Sequence, residues 1–362
     1  MKLPMKILSM KPATLWSFAK NAALWHANYY LAGRGFPLVC GVFLTNRCNL
    51  RCRMCSIWTD KKKSDLSLRQ VTDLVDSVSP RLCYLSFSGG EPLLVDGIMD
   101  MIAHAAKKVA YVHLVSNGIL VTRSAAMALA STGLSEISIS LDGEKSWHNA
   151  VRNSDKSFDA AVAAVENMKR HAPRVSVVIN SVLFPEAPQQ VLKAAAIARE
   201  LGVKCKVQPV NVHFDFEERI SDPFPVRFEG SDAAAIADTV RTLRKLRHVV
   251  NSAVFLKSIP SYFSQRLSCS MTTRGCVLPH YFLEVSAYGM ASPCLMATGW
   301  QGGIPLSGNL KEELSGRPYQ DTKESLRSCR KCDRAMYICY WEPMTVFPAV
   351  NACRYGLLGK SA

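Results

Sequence analysis

Three cysteines on one short segment have the spacing of an iron–sulfur ligand set. Cys48, Cys52 and Cys55 are separated by three and two residues and directly follow an apolar run that predicts a strand. Three thiolates on one loop can hold three irons of a four-iron cluster, so that the fourth iron stays open to chelate a small molecule through its amine and carboxylate. A zinc loop is the alternative, but zinc needs a fourth ligand, and Cys40 is the only other Cys or His within fifteen residues.

A second polar loop follows the next predicted strand. It consists of Ser88, Gly89, Gly90, Glu91 and Pro92. Paired glycines at a strand end allow the backbone to approach a ligand closely, and exposed carbonyls together with a carboxylate can accept hydrogen bonds from an ammonium group. We therefore expect this loop to face the same ligand as the cysteine loop.

Between Leu38 and about Val210 short apolar runs alternate with helical stretches. The predicted strands are Val39–Thr45, Cys83–Ser88, Tyr111–Ser116, Glu136–Leu141, Val175–Leu183 and Lys204–Val210. The predicted helices lie near 68–78, 96–108, 122–132, 157–170 and 188–201, the first opened by a capping box of Ser67 and Gln70. Repeated strand–helix units predict a parallel sheet, and six units are two short of a closed barrel. The expected fold is an α/β, partial (β/α)6 TIM-like barrel with its functional loops at the carboxyl ends of the strands.

On these residues the chain resembles the radical S-adenosylmethionine (SAM) superfamily, whose defining motif has this cysteine spacing on the loop after the first strand. The resemblance implies a [4Fe–4S] cluster whose open iron binds SAM, and an electron donor such as flavodoxin or ferredoxin. It also implies reductive cleavage of SAM to a 5′-deoxyadenosyl radical that abstracts hydrogen from a substrate. One departure is Met54, at a place that is usually aromatic and touches adenine, although a thioether can still pack against that ring.

The same resemblance assigns further SAM-binding residues. Ser116 and Asn117 end the third strand, and Ser140 and Asp142 end the fourth. The family's serine at the fourth strand meets the ribose hydroxyls, and an arginine at the place of Arg152 pairs with the methionine carboxylate, a task that suits the guanidinium fork. A surface ion pair is the alternative for Arg152. The full implied set is Met54, Gly89, Gly90, Glu91, Pro92, Ser116, Asn117, Ser140, Asp142 and Arg152.

Seven cysteines follow between Cys269 and Cys353, in a segment rich in Gly and Pro with little periodicity. Metal or cluster ligation is expected to replace a hydrophobic core there. The spacing of Cys276, Gly289 and Cys294 resembles the opening of the SPASM and twitch domains, which implies a small α+β domain with two auxiliary [4Fe–4S] clusters. The nearer cluster would take Cys269, Cys276 and Cys294, and the distal one Cys329, Cys332, Cys339 and Cys353.

The nearer auxiliary cluster is short of one thiolate, because Pro343 occupies the place of its fourth cysteine. We expect an open iron there, or a ligand such as water, substrate, a carboxylate or a phenol. Zinc or a single cluster is the alternative for this segment. Cys40, Cys83 and Cys205 fall on or next to predicted strands and are expected to be small buried side chains.

Four segments are predicted. A basic, aromatic helical segment spans residues 1–36, the barrel 37–230, a linker helix 231–265 and the auxiliary-cluster domain 266–362. The first segment is expected to cap the barrel with its apolar face, and the alternative is docking to an anionic membrane surface.

Composition limits the compartment and the partners. The chain is 48% hydrophobic and 20% charged, which is ordinary for a globular protein, and no signal peptide precedes its thirteen cysteines, so a reducing cytoplasm is expected. No apolar run is long enough to span a bilayer. The net charge of +15 favours an anionic partner, but no nucleic-acid-binding signature accompanies it.

The substrate stays open at this point. An anionic small molecule, a sugar or a lipid headgroup is expected, and a peptide-modifying maturase is the alternative. Only 36 residues precede the barrel, so a leader-binding domain is not expected. A non-catalytic electron carrier is a weaker alternative, because it would not need the SAM-binding set. No catalytic acid or base can be assigned; Asp215, Glu217, Tyr288 and Tyr337 are candidates only.

Overall fold

Six strands form a parallel sheet, and crossover helices connect them. The computed structural model describes residues 12–32, 35–79, 81–211, 232–264, 276–299, 302–306, 309–329 and 336–346. Its first six strands are β1 Val39–Thr45, β2 Tyr84–Gly89, β3 Tyr111–Ser116, β4 Glu136–Ser140, β5 Ser176–Leu183 and β6 Lys204–Pro209. Each pairs in parallel with the next. The predicted partial-barrel α/β fold is thereby confirmed.

The crossover helices agree with the sequence pattern. They are α2 Leu68–Val78, α3 Ile98–Lys108, α4 Arg123–Ser131, α6 Ser157–His171 and α7 Gln190–Glu200. A shorter helix that the sequence did not predict, α5 Lys145–Arg152, precedes α6. The predicted capping box opens α2, since the Gln70 amide donates to Ser67 Oγ at 3.2 Å and the Ser67 amide donates to Gln70 Oε1 at 2.9 Å.

The sheet continues beyond the barrel into the cysteine-rich segment. Three more strands, β7 Phe282–Val285, β8 Met290–Ser292 and β9 Ile304–Pro305, extend it past β1. β7 pairs in parallel with β1, in a register that places Glu284 beside Gly41, and all four β7 residues are buried. The segment predicted as a separate domain therefore shares the sheet of the barrel.

The opposite edge of the sheet is covered by the predicted linker. Residues 231–265 contain two helices, α8 Ala233–Leu243 and α9 Ala253–Phe263, instead of one. Between them the Cys205 amide of β6 donates to the His248 carbonyl at 2.9 Å. The Asn251 side chain then accepts from the Val207 amide at 2.7 Å and donates to the Val207 carbonyl at 2.9 Å. The helix is interrupted because this segment supplies the hydrogen bonds that an edge strand needs.

A C-terminal helix is hydrogen-bonded to segments beside β7 and beside β6. The remaining helices are α1 Pro12–Ala32, α10 Leu278–Tyr281, α11 Leu295–Thr298, α12 Leu310–Ser315, α13 Arg317–Ser325 and α14 Ile338–Val346. At the β7 side the Tyr281 hydroxyl donates to the Tyr340 carbonyl of α14 at 2.8 Å. Towards the β6 side the Ser252 amide donates to Glu342 at 2.9 Å. Helix α14, which carries Cys339, thus links the segment before β7 with the segment that follows β6.

Helix α1 docks through its aromatic residues. Trp25 is fully buried, donates from Nε1 to the His280 carbonyl at 2.8 Å and stacks on Tyr29. Trp16 and Leu31 of the same helix are 71% and 87% exposed. The helix therefore packs against the body of the protein as expected, with some large apolar side chains left at its surface. No helix in the described residues has the length and apolar character required to cross a membrane.

Truncating Trp25 should weaken this docking. We expect Trp25→Ala to lower the free energy of unfolding by about 3–5 kcal/mol, because a fully buried aromatic side chain and its hydrogen bond are lost. The exposed Trp16→Ala is the matched control and should change it by less than about 0.5 kcal/mol. Urea denaturation followed by circular dichroism measures both. Equal effects of the two substitutions would show that α1 is not docked through Trp25.

Candidate active site at the carboxyl ends of the strands

The cysteine loop follows β1 and is held by its own backbone and by α5. The Cys55 amide donates to the Cys52 carbonyl at 3.2 Å, and the Arg53 amide donates to the Val151 carbonyl at 2.8 Å. Burial raises the pKa of Cys55 to about 12, and Cys52 and Cys48 add to the shift. The thiols are therefore neutral in the metal-free chain, and metal binding has to displace their protons.

The donor set fits a four-iron cluster. Among the described residues no three His, Cys, Asp or Glu side chains are arranged to share a single metal ion. A four-iron cluster gives each thiolate an iron of its own, so its ligands need not converge on one point. Cys48, Cys52 and Cys55 perturb one another's pKa, and Arg152 contributes positive charge beside them.

The two glycines after β2 are required by contact with the cysteine loop. The Gly90 amide donates to the Thr45 carbonyl at 2.7 Å, and the Glu91 amide donates to the Arg47 carbonyl at 2.9 Å. A Cβ on Gly90 would lie 2.0 Å from the Arg47 carbonyl oxygen, and Gly89 has a φ of 128°. The structure shows that the nearest neighbour of the two glycines is the backbone leading into Cys48, and the close approach of a ligand to this loop stays a prediction.

Glu91 joins the loops after β2 and β3. It is fully buried and accepts hydrogen bonds from Ser116 Oγ at 3.0 Å, the Asn117 amide at 2.8 Å and the Leu93 amide at 3.2 Å. Burial raises its pKa to about 7, although these hydrogen bonds favour the ionised form. Close to neutral pH this carboxyl can therefore take up or release a proton.

The Glu91 pKa gives a pH dependence of stability. Because the folded-state pKa of about 7 lies above the ordinary 4.5, its contribution is fully present below pH 4.5 and is lost as the pH rises through 7. We expect the unfolding free energy of the metal-free chain to fall by up to about 3 kcal/mol across this window on account of Glu91. Glu91→Gln should flatten the profile, as measured by urea denaturation from pH 4 to 8. An unchanged slope in this variant would contradict the assignment.

Asn117 links the end of β3 to the cysteine loop. Its Nδ2 donates to Asn49 Oδ1 at 2.7 Å and lies 3.9 Å from Cys48 Sγ. Sequence reasoning selected Asn117 but missed Asn49, whose position inside the cysteine motif was the available signal. Three of the predicted residues, Glu91, Ser116 and Asn117, are thus joined in one network that reaches Cys48.

Arg152 and Asp142 form a buried ion pair beside the cysteine loop. Arg152 Nε donates to Asp142 Oδ2 at 2.6 Å, and the two side chains are 10% and 0% exposed. Asp142 Oδ1 also accepts from the Val182 amide of β5 at 2.9 Å. Burial opposes the charge of Arg152, but Asp142 and a hydrogen bond to Cys52 hold its pKa above the ordinary value. The alternative of a surface ion pair is wrong, because this pair lies inside the protein.

Other predicted residues surround this centre. Ser140 is buried at the end of β4, and Pro92 opens a short 3-10 turn, Pro92–Leu94. Met54 is half-buried and packs against the hydrophobic core. His148, which sequence reasoning did not select, accepts from the Asp142 amide through Nδ1 at 3.1 Å, and burial lowers its pKa to about 4. His148 is therefore neutral at physiological pH.

The cysteine-rich segment reaches the flank of the same loop. The Tyr288 hydroxyl, in the turn between β7 and β8, donates to Asp60 and contacts the Lys62 carbonyl at 3.2 Å. Asn46 Nδ2, two residues before Cys48, donates to the Tyr288 oxygen at 3.2 Å. Tyr288, a candidate acid or base from the sequence, therefore lies in a contact that supports the loop.

The C-terminal cysteines are partly described. Cys276 and Cys294 are buried, Cys329 is half-buried and Cys339 is exposed. Burial, together with nearby Glu284 and Cys276, raises the pKa of Cys294, and Cys329 adds to the shift. The other expected ligands, Cys269, Cys332 and Cys353, lie outside the described residues, as do Asp215 and Glu217.

A polar cluster that the sequence did not predict occupies one face of the sheet. The register from β2 to β6 places Tyr111, His113, Glu136 and Lys206 on one face of the sheet. Tyr111 donates to Glu136 at 2.8 Å, and Lys206 Nζ lies 3.8 Å from Glu136 and 3.4 Å from His113. Polar residues at alternate strand positions were the available signal. Such a cluster can accept or donate protons inside the barrel.

Comparison with known proteins agrees with this geometry. Residues 42–190 match the profile described as the Radical SAM superfamily. The chain is 29% identical over 166 residues to the mycofactocin maturase MftC of Mycolicibacterium smegmatis, covering 45% of this chain and 42% of that protein. It is 30% identical over 140 residues to the Fe-coproporphyrin III synthase of Methanosarcina barkeri, covering 37% and 34%. The matches thus span less than half the length of these curated relatives.

The fold is also similar to solved structures. Streptococcus suis SuiB bound to its precursor peptide SuiA has a TM-score of 0.62 at 14% identity, covering 91% of this chain and 76% of SuiB. SuiB bound to S-adenosylmethionine has a TM-score of 0.65 at 13% identity, covering 92% and 79%. Residues 42–190 are therefore a radical SAM domain, an enzyme domain whose cofactors are a [4Fe–4S] cluster and SAM.

Proposed function

We propose that the chain is a radical SAM enzyme that abstracts hydrogen from a peptide and acts as a peptide maturase. The observation that carries the catalytic part is the junction at the carboxyl ends of β1 to β4. There Asn117, which is hydrogen-bonded to Glu91, lies beside Cys48, and Arg152 lies beside Cys52. A carrier protein would have no use for this second set of residues.

Each residue of the junction has a role in this proposal. Cys48, Cys52 and Cys55 would hold the cluster, which when bound and reduced would supply the electron for cleavage of SAM and so the radical that abstracts hydrogen. Glu91 and the carbonyls of its loop bind the methionine ammonium group. Arg152, oriented through Nε by Asp142, offers its remaining N–H groups to the methionine carboxylate. Ser140 binds the ribose and Met54 packs on the adenine.

The C-terminal segment is proposed to hold auxiliary clusters. Cys276 and Cys294 are buried and electrostatically coupled, and Cys329 lies close enough to perturb Cys294. Thiolates crowded in this way repel one another unless cationic metal lies between them. The proposed ligands are Cys269, Cys276, Cys294, Cys329, Cys332, Cys339 and Cys353, within a SPASM-type domain over residues 266–362. These clusters would anchor a substrate or accept an electron from it.

A peptide is the proposed substrate because of the relatives. The mycofactocin maturase is a maturase by name, and SuiB was crystallised with its precursor peptide. The net charge of +15 would attract an acidic peptide from solution. A donor such as flavodoxin or ferredoxin is the proposed source of electrons.

A carboxylated small molecule is the second candidate. It is favoured by the same net charge and by the similarity to the Fe-coproporphyrin III synthase, whose named product carries carboxylates. This candidate retains the anionic substrate expected from the sequence.

Anaerobic turnover tests the proposal. The reconstituted chain is incubated with dithionite and SAM, with and without short peptides encoded beside its gene or a carboxylated porphyrin other than the product iron-coproporphyrin, and 5′-deoxyadenosine is quantified. We expect the peptide to stimulate its formation and to lose hydrogen, seen as deuterium transfer from labelled peptide. Stimulation by the porphyrin alone would select the second candidate. No 5′-deoxyadenosine from fully loaded protein under any condition would contradict both, and the variant with Cys48, Cys52 and Cys55 all changed to Ala is the blank.

Peripheral membrane contact through α1 is a separate proposal. Trp16, Leu24 and Leu31 are exposed on this helix, and Lys20 lies among them. Interfacial helices combine basic and apolar side chains in this way. Flotation with anionic liposomes should carry the protein upward, and Trp16→Ala with Leu31→Ala should reduce this. No flotation of the parent protein would refute the contact.

A further inference from the structure

Glu284 is a buried carboxylate without a cationic partner among the described residues. It lies in β7, is 3% exposed and forms no ion pair with any described Lys, Arg or His. Burying a carboxylate in this way is expensive unless a positive group or strong hydrogen bonds offset the loss of water. A cation bound beside Glu284 would therefore offset the cost of burying its carboxylate.

One carboxylate oxygen of Glu284 is fixed and the other is available. Oε2 accepts from the Leu295 amide at 2.7 Å and from the Tyr340 hydroxyl at 2.5 Å. In the described part of the chain no donor contacts Oε1. Carboxylates that bind metal through one oxygen are commonly oriented by hydrogen bonds to the other.

The two donors place Glu284 between cysteines of the C-terminal segment. Leu295 directly follows Cys294, and Tyr340 directly follows Cys339. Through these two hydrogen bonds the carboxylate lies beside the residue that follows Cys294 and beside the helix that carries Cys339. An iron held by Cys294 would give this carboxylate the positive partner that the described residues do not provide.

The sequence leaves one ligand place vacant in this segment. The proposed ligands of the nearer auxiliary cluster are Cys276, Cys294 and Cys269, the last of which lies outside the described residues, and Pro343 stands where the resemblance to the SPASM pattern implies a fourth cysteine. Proline has no donor atom in its side chain, so a fourth protein ligand has to come from elsewhere in the fold.

We propose that Glu284 is the non-cysteine ligand of the auxiliary cluster at Cys276 and Cys294, bound through Oε1 while Leu295 and Tyr340 hold Oε2. This assignment rests on the proposed auxiliary clusters. A carboxylate ligand is harder than a thiolate and donates less electron density, so it sets the reduction potential of this cluster apart from that of an all-thiolate cluster.

The test uses the full chain with Cys48, Cys52 and Cys55 changed to Ala, so that only auxiliary clusters contribute to the spectra. After anaerobic reconstitution, iron and sulfide are counted, the reduced protein is examined by electron paramagnetic resonance, and a redox titration gives the midpoint potential. Glu284→Gln and Glu284→Cys are compared with Glu136→Gln, which neutralises an equally buried carboxylate on β4. Protein labelled with ¹³C at glutamate carboxylates allows the ligand to be detected by electron–nuclear double resonance.

We expect a ¹³C coupling to the cluster that disappears in Glu284→Gln, together with changed g values. Glu284→Cys should retain the iron and shift the midpoint potential downward, as a fourth thiolate would. Glu136→Gln should match the parent. If Glu284→Gln keeps the ¹³C coupling, g values and potential of the parent, the ligand assignment is overturned while the auxiliary cluster stands. If the parent itself binds no iron in this background, both fail.

Discussion

Replacing Gly90 by Ala should abolish the cluster on the Cys48 loop. The new Cβ would lie 2.0 Å from the Arg47 carbonyl oxygen and 3.2 Å from the Cys48 amide nitrogen, both of which are backbone atoms that cannot swing away. Because Cys48 must move to relieve the clash, the three thiolates can no longer bind the same cluster. We expect a loss of about four irons per chain and no detectable 5′-deoxyadenosine. Anaerobic reconstitution with iron analysis measures the first and chromatography the second.

Gly41→Ala is the matched control for Gly90→Ala. Gly41 lies in β1, in the same strand that leads to the cysteine loop, and a Cβ there has its nearest neighbour at 3.5 Å, an ordinary contact with the Phe282 ring. Its iron content should equal that of the parent. Full cluster loading of Gly90→Ala would show that the glycine loop and the cysteine loop are not in contact as described.

Removing the Asp142 carboxylate should be the most destabilising change at the site. Asp142 is fully buried and carries the ion pair with Arg152 as well as the hydrogen bond from the Val182 amide. Its loss leaves a buried guanidinium without its carboxylate. We expect Asp142→Ala to lower the unfolding free energy by about 3–5 kcal/mol. SAM binding should weaken as well, because Arg152 is no longer oriented.

Two variants separate stability from cofactor binding in this pair. Asp159→Ala breaks the exposed pair of Lys145 and Asp159, whose side chains are 57% and 62% exposed, and should change stability by less than about 1 kcal/mol. Arg152→Lys keeps the charge but not the fork, and should bind SAM more weakly than the parent. Urea denaturation reports stability, and the change in the cluster's electron paramagnetic resonance on SAM addition reports binding. If Asp142→Ala were as stable as Asp159→Ala, the pair would not be buried as described.

The sequence was sufficient wherever chemistry depends on neighbours along the chain. Cys48, Cys52 and Cys55 lie within eight residues, so their spacing alone indicates the cluster loop. The apolar run before them indicates a strand that is buried in a sheet. The glycine loop was found for the same reason. The contact that requires glycine at Gly90 was not predicted, since it involves a carbonyl more than forty residues earlier in the chain.

Arg152 illustrates the limit of local patterns. Its position after β4 suggested a SAM-binding group, and a surface ion pair was the alternative. The burial of Arg152 and of its partner Asp142 excludes the surface ion pair, because both side chains lie inside the protein. Such burial results from packing of α5 against the cysteine loop, which a local pattern does not specify.

By itself the sequence determined the α/β barrel, its parallel strands and the three-thiolate loop, because strand periodicity and ligand spacing are properties of short segments. Only the tertiary structure decided that β7 pairs with β1, that α14 links the segments beside β7 and β6, and that Glu284 accepts hydrogen bonds from the residues following Cys294 and Cys339. These contacts join segments far apart in the chain, and they depend on strand register and side-chain packing that appear only when the sheet is complete.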